Sequence, residues 1–495
     1  MIRSQPESPA LRLTLMLLCC VFVSAPFVVV RIPPITDLPQ QLAQIRLFVE
    51  TLAHPDGPYR IQWFTPYTLS YLLLGVAWRL CQPEVAGRMA MLALAVIWTV
   101  AVHGLAARRR RPAAAAVLVS VLFFNHVVYW GFLSFAIGFP VFVWWFLVTT
   151  RPSSLYFRWT EAMQFLGVAA LLYVSHALWF AAGVAWFALW SLTARVPVRT
   201  IVLRFASFAP VVIVAAVWYP QLAAAGFVSP TMWEAPPTAR LSFSWLVDAL
   251  FGGLRGSTEY IVCAALVAWI VVAAWQHRDN LAARIDREML LVAALFALLA
   301  LLLPDLHMNT IDFAARWAPE ALILAVLALP APLYRPALLR VAAVAFVAVF
   351  CLATALAWTR FDRLELSGLH EILASLPAER RVLGLDFVKE SEIIKGRPFL
   401  QMFAYAQVVR GGQLNFSFAQ FAPMLVVYKT PRRPPWTNTL EWFAERVQPS
   451  DFQYFDLVLV NGAPSVHDDF LRQPNLTADH GVGRWWLFRV KGAQP

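Results

Sequence analysis

The chain has 495 residues, of which 60% are hydrophobic and only 14% are charged. So few charges cannot cover the surface of a water-soluble protein of this length, and the apolar residues form long runs, so the sequence predicts a polytopic membrane protein. The net charge of +11 does not by itself indicate a nucleic-acid partner, because in a membrane protein the positions of the arginines carry the information. The five cysteines all lie in or beside apolar runs, which predicts neither a disulfide framework nor a cysteine metal cluster.

The first apolar run covers residues 11–30, with the basic residue Arg3 before it and Arg12 at its start. A signal peptide has the same start, and Ser24-Ala25 resembles a cleavage site. Pro26 follows at once, however, and many apolar runs come later, which favours an uncleaved transmembrane helix with its N-terminus in the cytoplasm.

The stretch 32–50, IPPITDLPQQLAQIRLFVE, follows that helix and contains Asp37 in a turn bracketed by prolines. Prolines stiffen such a turn by fixing φ. Apolar residues recur at helical spacing from Leu38 onward, which predicts a short amphipathic helix. Asp37 then either caps this helix, a position that aspartate favours, or presents a carboxylate at the membrane surface for chemistry.

The segment 66–81 decides the topology. If it crossed the membrane, the helix 85–106 would run outward and place the four arginines 108–111 on the outer face, against the positive-inside rule. The segment is short for a span of ~20 residues, and Trp63, Tyr67 and Tyr71 suit an interface. We therefore predict a re-entrant or juxtamembrane helix there, and an inward-running helix after it.

The later apolar segments then alternate, with arginines in every inner loop. The predicted spans after residue 106 are 112–124, 130–150, two short helices within 163–193 that meet near His176 at the outer face, 202–219, 259–275, 289–303, 317–329 and 341–358. The total is about eleven transmembrane helices and one re-entrant helix, followed by an outer C-terminal part. The glycines of GFLSFAIGFP, residues 131–140, predict close helix packing.

From about residue 361 the composition becomes that of a soluble domain. The runs 381–387, 456–462 and 485–490 predict strands, and 439–447 predicts a helix, so residues 361–495 read as a small extracytoplasmic α/β domain after a membrane domain of residues 1–360. No glycine-rich phosphate motif follows these strands.

Polar residues that can do chemistry fall on the predicted outer side, and ionisable groups gathered at a membrane boundary indicate a site. The candidates are Asp37, Arg46, Asn125, His126, Tyr129, His176, Asp312 and Arg316. Each has a structural alternative: the histidines can simply hydrogen-bond a loop, Tyr129 can belong to the aromatic belt, and Arg316 can snorkel to the headgroups. Asp305 and His307 form a two-ligand pattern, which is a weak metal signal.

These features together resemble the GT-C superfamily of polyprenyl-phosphate-sugar glycosyltransferases, which includes protein O-mannosyltransferases and lipid A aminoarabinose transferase. The resemblance rests on an aspartate in the first outer loop (ITDLPQQLAQIR), a juxtamembrane TPYTLSYLLLG and a basic-ended helix, EVAGRMAMLALAVIWTVAVHGLAARRR. A late outer loop with Arg316 at a helix start and an outer C-terminal domain complete it. The sharp part of the likeness covers roughly residues 11–150.

The resemblance implies sugar transfer from a polyprenyl-phosphate donor to a glycan, lipid or protein acceptor at the outer face of the bacterial inner membrane, with the C-terminal domain periplasmic and no nucleic-acid partner. It implies Asp37 as catalytic base, Arg316 as partner of the donor phosphate, and the remaining candidates as substrate contacts. Many members carry paired acids in the first loop, whereas Asp37 lies between Thr36 and Leu38, so use of a divalent metal ion stays open.

Three other readings compete. A transporter or flippase would predict charges near the bilayer midplane and a repeated half. A polysaccharide polymerase or ligase would concentrate function in one large late outer loop, whereas here the first loop is the organised one. A structural or assembly protein would use the C-terminal domain as a binding module.

Overall fold

The computed structural model of the protein describes residues 7–63, 65–151, 158–224, 230–430 and 433–492. Contacts between residues divide the chain into two compact units. The first comprises Met1–Pro26, Leu92–Val128 and Leu133–Thr354, and the second comprises Phe27–Met91, Tyr129–Phe132 and Ala355–Pro495. The predicted boundary at residues 360 and 361 stays a prediction; the second unit groups the first-loop residues with the C-terminal part.

Helices occupy most of the described chain before residue 376. They are α1 (Pro9–Val29), α2 (Leu38–Ala53), α3 (Thr68–Leu80), α4 (Pro83–Arg108), α5 (Ala113–Val119), α6 (His126–Trp130), α7 (Leu133–Thr149), α8 (Trp159–Ser175), α9 (Ala177–Thr193), α10 (Val198–Ala224), α11 (Phe243–Leu250), α12 (Thr258–Gln276), α13 (Leu281–Arg284), α14 (Arg287–Leu302), α15 (Ala318–Ala328), α16 (Pro336–Leu364) and α17 (Ser367–Ser375).

The predicted spans coincide with helices. By length and composition six described helical segments can cross a membrane: Pro9–Val29, Pro83–Arg108, Ala113–Trp130, Val198–Pro220, Thr258–Gln276 and Pro336–Leu364. A helix satisfies all of its backbone hydrogen bonds internally, which a lipid environment demands. A polytopic helical fold is therefore confirmed, while the count of eleven spans stays a prediction.

Two of the predicted helical segments, 163–193 and 130–150, are each interrupted in the structure. The split of 163–193 is confirmed, because α8 ends at Ser175, α9 begins at Ala177, and His176 lies between them. The prediction of one helix over 130–150 is wrong at its start. Gly131 has φ of +84°, which ends α6, and α7 begins only at Leu133.

The predicted close packing at the glycines of residues 131–140 is confirmed at Gly138. A Cβ atom there would lie 2.0 Å from Cδ1 of Trp179, so only glycine lets the buried α7 approach α9 this closely. Trp179 also donates from its indole nitrogen to the Phe135 carbonyl, at 2.7 Å.

The C-terminal part of the second unit contains a five-stranded sheet. The five strands of this sheet are β2 (Arg381–Asp386), β3 (Gln413–Leu414), β5 (Leu457–Asn461), β6 (Leu476–Val482) and β7 (Trp485–Val490). Two further strands, β1 (Tyr59–Ile61) and β4 (Val426–Tyr428), pair with each other. The remaining helices are α18 (Tyr405–Arg410) and α19 (Pro464–Leu471). The sheet order is β3-β2-β5-β7-β6, with β3, β2 and β5 parallel and the β5–β7 and β7–β6 pairs antiparallel.

The three predicted strands are confirmed as β2, β5 and β7. Each is an apolar run with β-branched or aromatic residues, which favour extended backbone. The predicted helix over 439–447 is wrong. Thr439 has φ of +66°, which a right-handed helix cannot contain, and the segment forms turns and one short 3₁₀ turn, Ala444–Arg446. Leu440 and Ala444 pack into the core of this part, so tertiary packing decides the conformation.

Candidate active site

Asp37 lies directly before α2 in the second unit. Its side chain makes no capping hydrogen bond to the helix, contrary to what a purely capping role would require. Asp37 is half-buried, whereas residues 32–36 and 38–40 on either side are buried. The turn therefore holds one carboxylate at the edge of an otherwise buried segment.

The backbone of this turn is held by the segment around Gly131, within the same unit. The Thr36 amide donates to the Tyr129 carbonyl at 2.9 Å, and the Asp37 amide donates to the Trp130 carbonyl at 3.0 Å. A Cβ atom at Gly131 would lie 2.9 Å from the Asp37 nitrogen, so only glycine fits against the turn. The Gln41 side-chain amide donates to the Gly131 carbonyl at 2.5 Å and ties the same segment to α2.

Buried glutamines attach α2 to the C-terminal part of the unit. The Gln40 side-chain amide donates to Oε1 of Gln401 at 3.1 Å, and Oε1 of Gln40 accepts from the Phe418 nitrogen at 3.2 Å. Oε1 of Gln44 accepts from the Val426 nitrogen at 2.9 Å. Buried polar groups need such partners, so these bonds fix the position of the helix that carries Asp37 at its start.

Two other candidates of the second unit have structural partners. Arg46 donates to the carboxylates of Glu50 and Glu379, the latter at 3.1 Å. The Tyr129 hydroxyl accepts from the Trp358 indole nitrogen at 3.3 Å, with the two rings edge to face. Substrate contact by either residue stays a prediction.

In the first unit, Arg316 and His176 meet around Phe135. Arg316 is only 4% exposed, its Nε and Nη2 donate to the Ile311 carbonyl at 3.2 and 2.8 Å, and its Cζ lies 5.8 Å from the centre of the Phe135 ring. The His176 ring meets the same phenyl ring edge to face at 5.6 Å, and its Nδ1 accepts from the Leu178 nitrogen. Burial and then the Arg316 charge lower the pKa of His176, which keeps this imidazole neutral.

Asn125 and His126 lie just before and at the start of α6. The Asn125 amide nitrogen donates to the Leu122 carbonyl at 2.8 Å and its oxygen accepts from the Val128 nitrogen at 3.1 Å, so the side chain closes a turn. Nδ1 of His126 bonds the Ala249 carbonyl. Its Nε2 is buried and has no hydrogen-bond partner among the described residues, which leaves one nitrogen of His126 available for a polar ligand or water.

The loop before Arg316 contains the other acidic candidates. Asp312 adopts φ of +49°, and burial raises the pKa of its carboxyl group, while the Arg316 charge opposes that effect. Asp305 is committed to structure, because its Oδ2 accepts from Arg240 at 2.8 Å and from the Glu234 nitrogen at 2.7 Å. No group of three or more histidine, cysteine, aspartate or glutamate residues comes together in the part of the chain that the structure describes, so no metal site is assigned.

Glu320 is not among the site residues predicted from the sequence. It lies one turn after Arg316 on α15, is 2% exposed, and its Oε2 has no hydrogen-bond partner within the described segments. A carboxylate inside an apolar run is costly and is itself a signal of function, so the sequence could have indicated this residue. Arg240, also missed, donates to the carbonyls of Ala300, Leu301 and Leu303 and closes the end of α14.

Comparison with known proteins gives a match at the level of the fold. No family model and no curated protein matches the sequence. The structure resembles that of ArnT from Cupriavidus metallidurans, which was crystallised bound to undecaprenyl phosphate, with a TM-score of 0.56 and 12% sequence identity. The match covers 98% of this chain and 99% of that one, so the predicted architecture is confirmed as a fold over nearly the whole chain.

Proposed function

Since the chain shares the fold of ArnT over nearly its whole length, we propose that it is a GT-C-type membrane glycosyltransferase that moves a sugar from a polyprenyl-phosphate donor to an acceptor at the outer face of the bacterial inner membrane. The observation that carries this proposal is the whole-length fold match to ArnT, whose structure contains undecaprenyl phosphate. The match spans the helices, the first-loop segment and the C-terminal sheet. This favours an enzyme that uses a similar lipid-phosphate substrate over a transporter.

In the proposed reaction the bond between the anomeric carbon and the phosphate oxygen breaks, and a bond from that carbon to an acceptor hydroxyl oxygen forms. The hydroxyl proton passes to Asp37, and the bonding electrons leave with the polyprenyl phosphate. The anchored turn supports this role, because a positioned base contributes ~10²–10⁴-fold to such a step. A half-buried carboxylate is also accessible enough to meet an acceptor.

Arg316 is the proposed partner of the leaving phosphate. A guanidinium binds phosphate through charge-assisted hydrogen bonds, and burial strengthens that attraction. Arg316 is almost fully buried, and the neighbouring His176 is kept neutral. The guanidinium group of Arg316 therefore carries the principal positive charge around Phe135. His126, with one nitrogen available, is the candidate for an additional polar contact to the donor or the acceptor.

The test uses the full-length protein purified in detergent and titrated with undecaprenyl phosphate. Binding to the folded state alone raises the free energy of unfolding by about 2.7 kcal/mol at a hundredfold excess over Kd, so a thermal shift is expected. Undecaprenol, which lacks the phosphate, is the matched control ligand and should give a smaller shift.

The Arg316→Ala variant should lose one to two factors of ten in affinity for undecaprenyl phosphate, because a hydrogen bond to a charged group contributes ~1.5–3 kcal/mol. Its affinity for undecaprenol should stay the same. Equal affinity of the wild-type protein for both lipids would contradict the proposed donor class, and unchanged phosphate affinity in Arg316→Ala would contradict the role of that residue.

A further inference from the structure

The four consecutive arginines 108–111 at the end of α4 fall into two pairs, one bound to other residues of the protein and one exposed. Arg109 donates from Nε and Nη2 to the Asp286 carboxylate at 2.7 and 2.8 Å and is also paired with Glu288. Arg111 donates to the Leu327 carbonyl at 2.8 Å, near the end of α15. These two guanidinium groups are therefore used inside the first unit.

Arg108 and Arg110 are exposed. Within the described ranges neither guanidinium group forms a hydrogen bond or an ion pair, in contrast to the alternate arginines between and after them. Two unpaired positive charges are thus presented on the outside of the unit, and Arg108 still belongs to α4.

A groove between α4 and α7 ends at Arg108. Its volume is about 450 Å³, within the ~300–1,000 Å³ range of sites that bind small molecules. The wall is almost entirely apolar and includes Leu105 and Trp144, with Arg108 as its charged end. Trp144 is 47% exposed, so the groove is open to the surroundings of the helices.

The two helices that form the groove run in the same direction. Trp98 of α4 contacts Phe139 of α7 with ring centres 5.8 Å apart, and Arg109 lies 5.4 Å from the Phe146 ring, nearer the end of both helices. Gly104 lines the groove, and a Cβ atom there would meet no atom of another segment within 4 Å. The groove therefore extends along the helices toward the basic end of α4.

We propose that this groove binds an anionic phospholipid of the surrounding membrane, with an acyl chain along α4 and α7 and the phosphate at Arg108. Charge complementarity carries the choice, because an apolar groove lined by an unpaired arginine matches a lipid with an anionic headgroup. On the predicted topology the lipid belongs to the cytoplasmic leaflet. A second copy of this chain fits less well, since a symmetric contact would bring the same arginines together. The proposal does not depend on the proposed sugar transfer.

The experiment is native mass spectrometry of the full-length protein titrated separately with phosphatidylglycerol and phosphatidylcholine. The wild-type protein should bind phosphatidylglycerol more tightly. Arg108→Ala should weaken that binding roughly fivefold, the order expected for one basic residue at a membrane surface. It should weaken phosphatidylcholine binding less, because the choline ammonium group offsets the charge of that lipid's phosphate. Arg110→Ala removes the same charge outside the groove and should weaken binding less.

A second pair of variants tests the apolar part of the groove. Gly104→Leu adds a side chain where a Cβ atom has open space, and it should weaken binding of both lipids. Gly167→Leu, at another open glycine outside the groove, should change neither. Equal wild-type affinity for the two lipids, equal effects of the two arginine variants, or wild-type binding by Gly104→Leu would overturn the proposal. The proposal would also fail if the wild-type protein formed a dimer that Gly104→Leu abolished, because the groove would then be an interface between two copies.

Discussion

Asp386 gives a prediction whose sign and size follow from its surroundings. It ends β2 beside Asn461, which ends the neighbouring strand β5. Its Oδ1 accepts from the Asn461 amide at 2.9 Å and from the Val388 nitrogen at 3.2 Å, while Oδ2 is buried and has no partner among the described residues. Burial raises the pKa of this carboxyl group from an ordinary value of 3.8 to about 6.

The raised pKa means that the folded state binds this proton more tightly than the unfolded state does. The free energy of unfolding therefore falls as the pH rises from about 3.8 to about 6, and is constant above that range with respect to this group. At 1.36 kcal/mol per pKa unit the whole loss is ~3 kcal/mol. Asp386→Asn cannot ionise, and its side-chain oxygen can still accept from the Asn461 amide.

We therefore expect Asp386→Asn to be more stable than the wild-type protein at pH 7, by up to ~3 kcal/mol, and about equally stable at pH 4. Hydrogen exchange of peptides that cover β2 and β5, corrected for the pH dependence of the chemical rate, measures this local stability in the full-length protein. Asn461→Asp serves as a contrast, because it adds a second buried carboxyl group and should destabilise. Equal protection of wild type and Asp386→Asn at pH 7 would refute the reasoning.

Two further predictions concern the site and its orientation. Gly131→Ala should insert normally but lower the transfer rate by ~10²-fold, because a Cβ atom 2.9 Å from the Asp37 nitrogen displaces the turn. Gly256→Ala is the control, because Gly256 also has a positive φ but has open space around its Cβ position. Equal activity of the two variants would contradict the role of Gly131. A cysteine that replaces the exposed Arg110 should react with an impermeant reagent only from the cytoplasmic side, and one that replaces Arg472 only from the outer side; the reverse labelling would disprove the topology.

The parts of the fold that the sequence predicts well are those set by local pattern and length. The split at His176 follows because 163–193 is too long for one comfortable span, and the structure places α8 and α9 on its two sides. The strands of the sheet follow from their apolar, β-branched composition. In both cases the signal lies within one element.

The parts that the sequence does not predict are contacts between distant segments. The fit of Gly131 against Asp37 joins residues far apart in the chain, and a glycine alone does not reveal what it approaches. The same holds for Gln40, whose partner is Gln401. The arginines read as topology signals also proved to have specific partners, such as Asp286 for Arg109, which charge counting along the chain cannot show. Glu320 differs, because its apolar surroundings were visible in the sequence.

The transfer rate of Asp37→Asn, measured in native membranes at matched protein level on the donor and acceptor used by the wild-type protein, tests the central claim most directly. Asn keeps the shape of the side chain and removes its basicity, and the Asp37 side chain makes no cap hydrogen bond that the change could break. The account predicts a rate lowered by ~10²-fold or more with unchanged affinity for undecaprenyl phosphate. A wild-type transfer rate would contradict it and remove Asp37 as the base.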